Sequence, residues 1–392
     1  MNRLASIIID NYNYAGFLRE AIESALNQTY QKIEIIVVDD GSTDSSREII
    51  SSYGCRVISI LKCNGGQNSA LNAGFSASRG NVILFLDSDD ALLPTAVEAA
   101  SEVLVDPHAV KVHWPWVEWD ESSRETGRIW WKCLPSDDLR DLVLREGPDA
   151  MAGYLPSGNA YSRRFLESVF PLAEVPRNPG CSTSERQRRW VARPGPDFYL
   201  ATLAPFHGSV EQVAEPQACY RMHAGNGYQS LKFEERLNFD LELFDYVSKA
   251  AADHCADLGI SVNREQWKAK SWAHRIQQSA LSVVSLTPKG ASFILVDEDR
   301  WKTDRLLCGR KRIPFLERNG RYWGRPTDDV TAIQELDHLR EAGAEFIVFC
   351  WSTFWWLDYY AGLAHYLRTR FACLLENDLL VVFDLRRRNV PL

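Results

Sequence analysis

Val37-Val38-Asp39-Asp40-Gly41-Ser42-Thr43-Asp44 ends an apolar run on two adjacent carboxylates, then turns through Gly-Ser into residues that start helices. Ser, Thr and Asp are natural helix N-caps, so taken alone this stretch reads as a buried strand followed by a capped turn. A second stretch is built the same way. Leu84-Phe85-Leu86-Asp87-Ser88-Asp89-Asp90 closes another apolar run on an Asp-x-Asp arrangement. Around these two, strand-like runs at Ser6 to Ile9, Glu34 to Val38, Arg56 to Leu61 and Val82 to Leu86 alternate with helix-like runs at Phe17 to Leu26, Ser45 to Ser52 and Ser69 to Ala77. The order βαβαβαβ predicts an α/β fold: a mainly parallel sheet flanked by helices, with ligands at the carboxyl ends of the strands. Both acidic runs fall at that edge.

Beyond Ala91 the rhythm loosens into helices, a segment rich in tryptophan (Trp114, Trp116, Trp119, Trp130, Trp131) and, up to Gly195, a loop rich in Pro, Arg and Ser. Leu237, Leu241, Phe244, Val247 and Ala251 then form one helical stripe. After Pro288 strands are expected at 293–296 and 346–350, a helix from Thr331 to Glu341, and a hairpin of Phe371 to Glu376 with Leu379 to Leu385 around Asn377-Asp378. The expected division is an α/β domain over 1–230 that carries both acidic strand ends, a helical bridge over 231–287 and a second, smaller α/β domain over 288–392.

Composition narrows the function. A chain of 392 residues exceeds one ordinary core. No run approaches the roughly 20 apolar residues that span a bilayer, which predicts a soluble chain. Met1 to Leu4 leads straight into the first strand and does not read as a signal peptide. Nine cysteines, odd in number and without a C-x-x-C pair, suggest reduced structural thiols in a cytoplasm. A net charge of −8 argues against a nucleic-acid binder. The basic clusters Arg186 to Arg189 and Arg386 to Arg388 read as a solvated loop and tail, and they leave room for a peripheral contact at the inner face of a membrane.

Carboxylates clustered at strand ends suit a hard divalent ion, Mn²⁺ or Mg²⁺, that also binds phosphate oxygens. Further stretches keep the same company: Ile7-Ile8-Ile9-Asp10-Asn11-Tyr12-Asn13, Asn27-Gln28-Thr29-Tyr30 and Asn64-Gly65-Gly66-Gln67-Asn68-Ser69-Ala70-Leu71-Asn72-Ala73-Gly74. In this order the motifs resemble glycosyltransferase family 2, inverting enzymes with the GT-A nucleotide-diphospho-sugar transferase fold. The resemblance covers roughly residues 4 to 228 and implies a nucleotide diphosphate sugar donor, uridine being the expected base, and a carbohydrate or lipid-linked saccharide acceptor in bacterial polysaccharide or glycoconjugate synthesis.

It also implies roles. Asn11, Tyr12, Asp39, Asn68, Asp87 and Arg221 face the donor, with Tyr12 against the base, Asp39 accepting hydrogen bonds from it and Asp87 near the ribose and the metal. Asp89 holds the metal, and Asp40 and Asp90 orient turns. Cys219-Tyr220-Arg221-Met222-His223-Ala224-Gly225-Asn226 resembles the family's Tyr-Arg-x-His-x-x-Asn element. It makes His223 a metal or diphosphate contact, while Arg221 either neutralises phosphate or locks its loop. Asp197, in Pro194-Gly195-Pro196-Asp197-Phe198, takes the place of the catalytic base, and the bland alternative is a helix cap. Asp10 departs from the family, which carries a hydroxyl residue, Pro or Asn there, and could alter the base accepted. Two other readings compete. A nucleotidyltransferase would show a basic Gly-rich loop after the first strand, and a non-catalytic sugar- or nucleotide-binding descendant would have lost carboxylates that are present. The C-terminal region resembles accessory domains of some bacterial polysaccharide-biosynthesis transferases, and its aromatic stretch Phe354 to Tyr360 reads as core or interface before it reads as a sugar-stacking surface.

Overall fold

Isoleucines at 7, 8 and 9 are all buried because β1 (Ala5–Asn11) lies at the centre of a sheet covered on both faces. Alternation sorts them. Ile8, with Ile36 and Val38 of β2 (Ile33–Asp39) and Ile83 and Phe85 of β4 (Val82–Asp87), packs on one face. Ile7, Ile9, Ile35, Val37, Leu84 and Leu86 pack on the other. Each such side chain removed from water contributes about 1.5–3 kcal/mol. The computed structural model describes residues 3–132, 134–151, 156–174, 195–228, 230–301 and 305–388.

The main sheet has the order β10-β6-β9-β4-β1-β2-β3, completed by β3 (Ile58–Leu61), β6 (Ala109–His113), β9 (Asn159–Ser162) and β10 (Ser209–Gln212). β4, β1, β2 and β3 run parallel, as expected. β9 runs antiparallel between β4 and β6. The helices Ala15–Leu26, Ser46–Ser52 and Gln67–Ala77 connect the parallel strands. Gly74 lets the last of these approach the sheet, since a Cβ there would lie 2.4 Å from Ile8 Cγ2.

The tryptophan segment, which the sequence left without a secondary structure, supplies two strands of a second sheet of order β5-β11-β7-β8, made of β5 (Ala91–Leu92), β7 (Trp116–Trp119), β8 (Glu125–Trp130) and β11 (Ala218–Arg221). β6 hid its strand character because every one of its residues is buried, Lys111 and His113 included, so no polar alternation marked it. Among the described residues seven cysteines are free, with Cys219, Cys255 and Cys350 buried and Cys55, Cys63, Cys308 and Cys373 exposed.

The chain divides into two units, 1–230 with 239–267, and 231–238 with 268–392. The segment read as a bridge is three helices, Phe233–Asp257, Arg264–Lys270 and Trp272–Leu286, shared between them. Phe244, Ala251, Cys255 and Trp267 belong to the first unit's core. The second unit has a sheet of order β13-β12-β16-β18-β17, made of β12 (Ser292–Val296), β13 (Lys311–Pro314), β16 (Phe346–Cys350), β17 (Phe371–Glu376) and β18 (Leu380–Arg388). It is the expected second α/β region, hairpin included. Among the described residues no helix is long and apolar enough to cross a membrane.

Candidate active site

The carboxyl ends of β1, β2 and β4 bring the sequence motifs together. Asp39 is fully buried and accepts from Ser42 N (3.1 Å), Asn11 Nδ2 (3.2 Å) and Arg47 Nε (2.7 Å). Burial alone would raise its pKa, but these bonds outweigh burial and hold the carboxylate below its usual range. Asn11 also reaches Ser42 Oγ at 3.1 Å, so it braces the turn from within. Asp40 accepts from Gly65 N, Gly66 N and Lys62 Nζ at 2.6–2.8 Å, tying the turn to the Gly-Gly loop. Gly41 is required there: its φ is +84°, and a Cβ would meet Asn64 N at 2.5 Å. Tyr12 stands at the surface beside this turn.

At the end of β4, one carboxylate oxygen each of Asp87, Asp89 and Asp90 lies within 4.8 Å of the others. Asp90 is turned inward, bonded to Arg221 N (3.0 Å) and Ser157 Oγ (2.8 Å). Asp87 accepts from Gln67 Nε2 at 3.1 Å, and Asp89 Oδ2 lies 3.0 Å from His223 Nε2. Gly225 N donates to His223 Nδ1 (3.1 Å). With Nδ1 accepting, the proton of the neutral ring is assigned to Nε2, and His223 donates to Asp89. Arg221 spends its guanidinium on Asp89 O (2.7 Å), Ser123 Oγ (2.7 Å) and Glu20 Oε2 (2.5 Å), and lies between the rings of Phe17 and Trp119. These contacts tie the β11 end to Asp89, to Ser123 and to Glu20.

Asp10 joins the cluster. It pairs in register with Asp87 on the neighbouring parallel strand, and its Oδ1 is buried with no hydrogen-bond partner. Burial, then the charge of Asp89, pushes its pKa up to about 7. Burial followed by Asp10 raises Asp87 well above the carboxylate range. The same two causes raise Asp197, and burial with Asp89 raises Asp90. Asp197 lies in the first turn of the helix Pro196–Leu203, whose cap residue is Gly195 with no side-chain cap bond, so the bland reading of Asp197 as the N-cap does not describe its place. Four carboxyl groups, each made harder to ionise by burial and by its acidic neighbours, gather here.

Asp10→Asn is therefore expected to stabilise the metal-free protein at pH 8. A carboxyl whose folded pKa is raised is ionised in the unfolded chain first, so stability is intact below about pH 4, falls as pH rises to about 7, and stays low above it. The upper bound is about 4 kcal/mol, from three pKa units. Thermal unfolding should show the variant equal to the parent at pH 4 and more stable at pH 8. A variant less stable at pH 8 would mean that the carboxylate is well paired.

Other expected residues lie elsewhere in the network. Asn68 Nδ2 donates to Ala173 O (2.9 Å) and Asn72 Nδ2 to Leu172 O (2.9 Å), so together they tether 172–174. Arg186 to Arg189 lie outside the described residues. Gln67 escaped the sequence reading because an amide carries no chemical signature of its own. Asp10 was noticed only as a departure, although its even spacing from Ile8 already put it on the face of Phe85 and Asp87.

Residues 6–170 match the family model of glycosyl transferase family 2. An uncharacterized glycosyltransferase of Nostoc sp. is 35% identical over 231 residues, 57% of this chain and 66% of that protein. An uncharacterized glycosyltransferase of Rickettsia prowazekii is 48% identical over 101 residues, and the match spans 26% of this chain and 32% of the relative. The chain thus covers less than two thirds of either relative's length. Among solved structures, S. aureus TarS 1–349 in complex with UDP-GlcNAc aligns with a TM-score of 0.42 and 15% identity, over 72% of this chain and 86% of that one. The matched segment carries β1, β2 and β4 with Asp10, Asp39, Asp87 and Asp89 at their ends, and on that ground residues 6–170 form a glycosyl transferase family 2 domain.

Proposed function

We propose that this glycosyltransferase moves a sugar from a nucleotide diphosphate sugar, with uridine the expected base, to a hydroxyl of a carbohydrate or lipid-linked saccharide, with inversion and with a divalent ion, in bacterial polysaccharide or glycoconjugate synthesis. One observation carries it: the carboxyl groups of Asp10, Asp87, Asp89 and Asp197 are concentrated at the strand ends, and among the described residues no Lys or Arg side chain pairs with them. The donor set of Asp87, Asp89 and Asp90 is all oxygen, which fits a hard ion, and the orphaned Asp10 Oδ1 belongs to the residue in register with Asp87 on the neighbouring strand. Asp89 and Asp87 would hold Mn²⁺ or Mg²⁺, which when bound offsets charge on the leaving diphosphate.

The chain's own residues do the rest. The turn of Asp39, Asn11 and Ser42 shapes the base site, and Tyr12 offers it an aromatic face. Arg47 is the outermost partner of Asp39 and the one a base would displace. Asp197 accepts the acceptor hydroxyl's proton as oxygen attacks the anomeric carbon, in a single displacement with no sugar-enzyme intermediate. His223, donating to Asp89, aims that carboxylate instead of binding the ion itself.

Slow hydrolysis of UDP- and GDP-sugars, with and without Mn²⁺, tests the proposal. Asp89→Ala should abolish the thermal stabilisation given by UDP with Mn²⁺. His223→Gln, whose amide can still donate, should keep it within about 1 kcal/mol, the scale of one hydrogen bond. Unchanged stabilisation of Asp89→Ala would remove the metal assignment, and complete loss in His223→Gln would make the histidine a ligand.

A further inference from the structure

The aromatic stretch of the second unit splits into two sets. On the short helix Trp355–Tyr359, Trp356 and the following Tyr360 are buried, at 0% and 3% exposure. Trp355 and Tyr359, four residues apart and so on one helical face, are exposed at 36% and 70%. Their rings lie 5.9 Å apart at 68°, forming a corner with one flat wall and one edge. Arg325 lies 4.8 Å over the Trp355 ring and pairs with Glu298 through Nε (2.7 Å) and Nη2 (3.2 Å). Glu298 is fixed again by Trp356 Nε1 (3.2 Å), and Pro326, the residue after Arg325, is held by Tyr360 donating to its carbonyl oxygen (2.7 Å).

The place is also informative. Glu298 follows β12, which pairs in parallel with both β13 and β16, so the corner adjoins the carboxyl edge where open α/β sheets take ligands. Glu298 and Asp299 both hold left-handed backbone, φ 55° and 59°, which costs non-glycine residues free energy and is retained mainly where a side chain must be aimed.

We propose that this corner is a saccharide-binding site, in which a neutral pyranose ring stacks on Tyr359 against the Trp355 wall and its vicinal hydroxyls bond Arg325 and Glu298. The chemistry selects this ligand over others. A fork of fixed donors and acceptors beside flat rings matches a sugar, whose ring has an apolar face and a polar rim. Two exposed rings fall far short of the roughly 800 Å² per partner of a stable protein interface. Arg325 is neutralised by Glu298, so the corner lacks the excess positive charge that an anionic lipid surface attracts. The choice of a saccharide as occupant rests on the transferase reading, which puts sugar chains within the protein's business.

The full chain would be titrated with maltohexaose, mannohexaose and chitohexaose, followed by calorimetry and tryptophan fluorescence. At least one hexasaccharide should bind saturably, and Tyr359→Ala, a change at an exposed side chain, should weaken it about tenfold. Arg325→Ala should do the same, while UDP with Mn²⁺ binds both variants as it binds the parent. Absence of binding by all three sugars, or binding unchanged in a Trp355→Ala, Tyr359→Ala double variant, would overturn the proposal. UDP- and GDP-sugar hydrolysis by the same preparation reports on the transferase reading separately, so the two can fail independently.

Discussion

Replacing Asp197 by Asn should lower sugar transfer by roughly a hundredfold to ten-thousandfold, the range associated with general base catalysis, with donor affinity nearly unchanged. The substitution keeps size and shape and removes only the ability to take a proton. Asp197 suits the role because burial and the nearby Asp10 raise its pKa well above the usual carboxylate value, making it a stronger base than an exposed aspartate. A base works in its ionised form, so parental turnover at saturating acceptor should climb with pH through that raised pKa, and the climb should vanish in the variant. A cation at Asp87 and Asp89 would favour ionisation, moving the limb to lower pH as Mn²⁺ is added. Turnover near the parental value with the same pH limb would place the base elsewhere. The next candidates for a base are Glu185 and His207: Glu185 lies outside the described residues, and His207 is packed against Phe165 and His254, with its pKa pushed down to about 4 by burial and then by His254.

What the sequence revealed follows from which signals are local. The four parallel strands of the main sheet were legible because each is a short apolar run ending in residues that cannot continue it: Asn11, Asp39, Lys62 and Asp87 with their turns. The carboxylates were legible for the same reason, as they end those runs. β6 and β9 were not, because they lie inside the sheet and their pairings, with β9 antiparallel to both β4 and β6, span long sequence separations that local periodicity does not encode. The partners of the site residues were equally hidden. Nothing near Arg221 in sequence indicates that Glu20 and Ser123 engage its guanidinium, nor does His223 announce that Gly225 takes up its Nδ1. Residue types gave the chemistry, and only tertiary structure gave the division between groups that face a ligand and groups that hold others in place.

Lys111 shows that division at its most costly, and Lys111→Met should stabilise the protein at neutral pH. The side chain is wholly buried on β6, flanked by Tyr161 of β9 and Val210 of β10, with its Nζ 2.8 Å from His113 Nδ1. No carboxylate pairs with it among the described residues, and burial brings its pKa down to about 7. A lysine whose folded pKa is depressed gives full stability above its unfolded value, about 10.4, and loses it as pH falls towards 7. The difference of more than three units sets an upper bound of about 4–5 kcal/mol at and below pH 7. Methionine fills a similar volume without a charge, although it leaves His113 Nδ1 unpaired at a cost of about 1–3 kcal/mol. The net gain at pH 7 is then about 2 kcal/mol, or several degrees in Tm for a unit of this size. Urea unfolding of parent and variant at pH 7 and pH 10 would measure it: the gain should shrink or reverse at pH 10, where the lysine is neutral in the fold and carries little penalty. A variant destabilised equally at both pH values would mean that the ammonium is compensated in the native protein, and the buried amine would then be a structural partner of His113 and not a burden on the sheet.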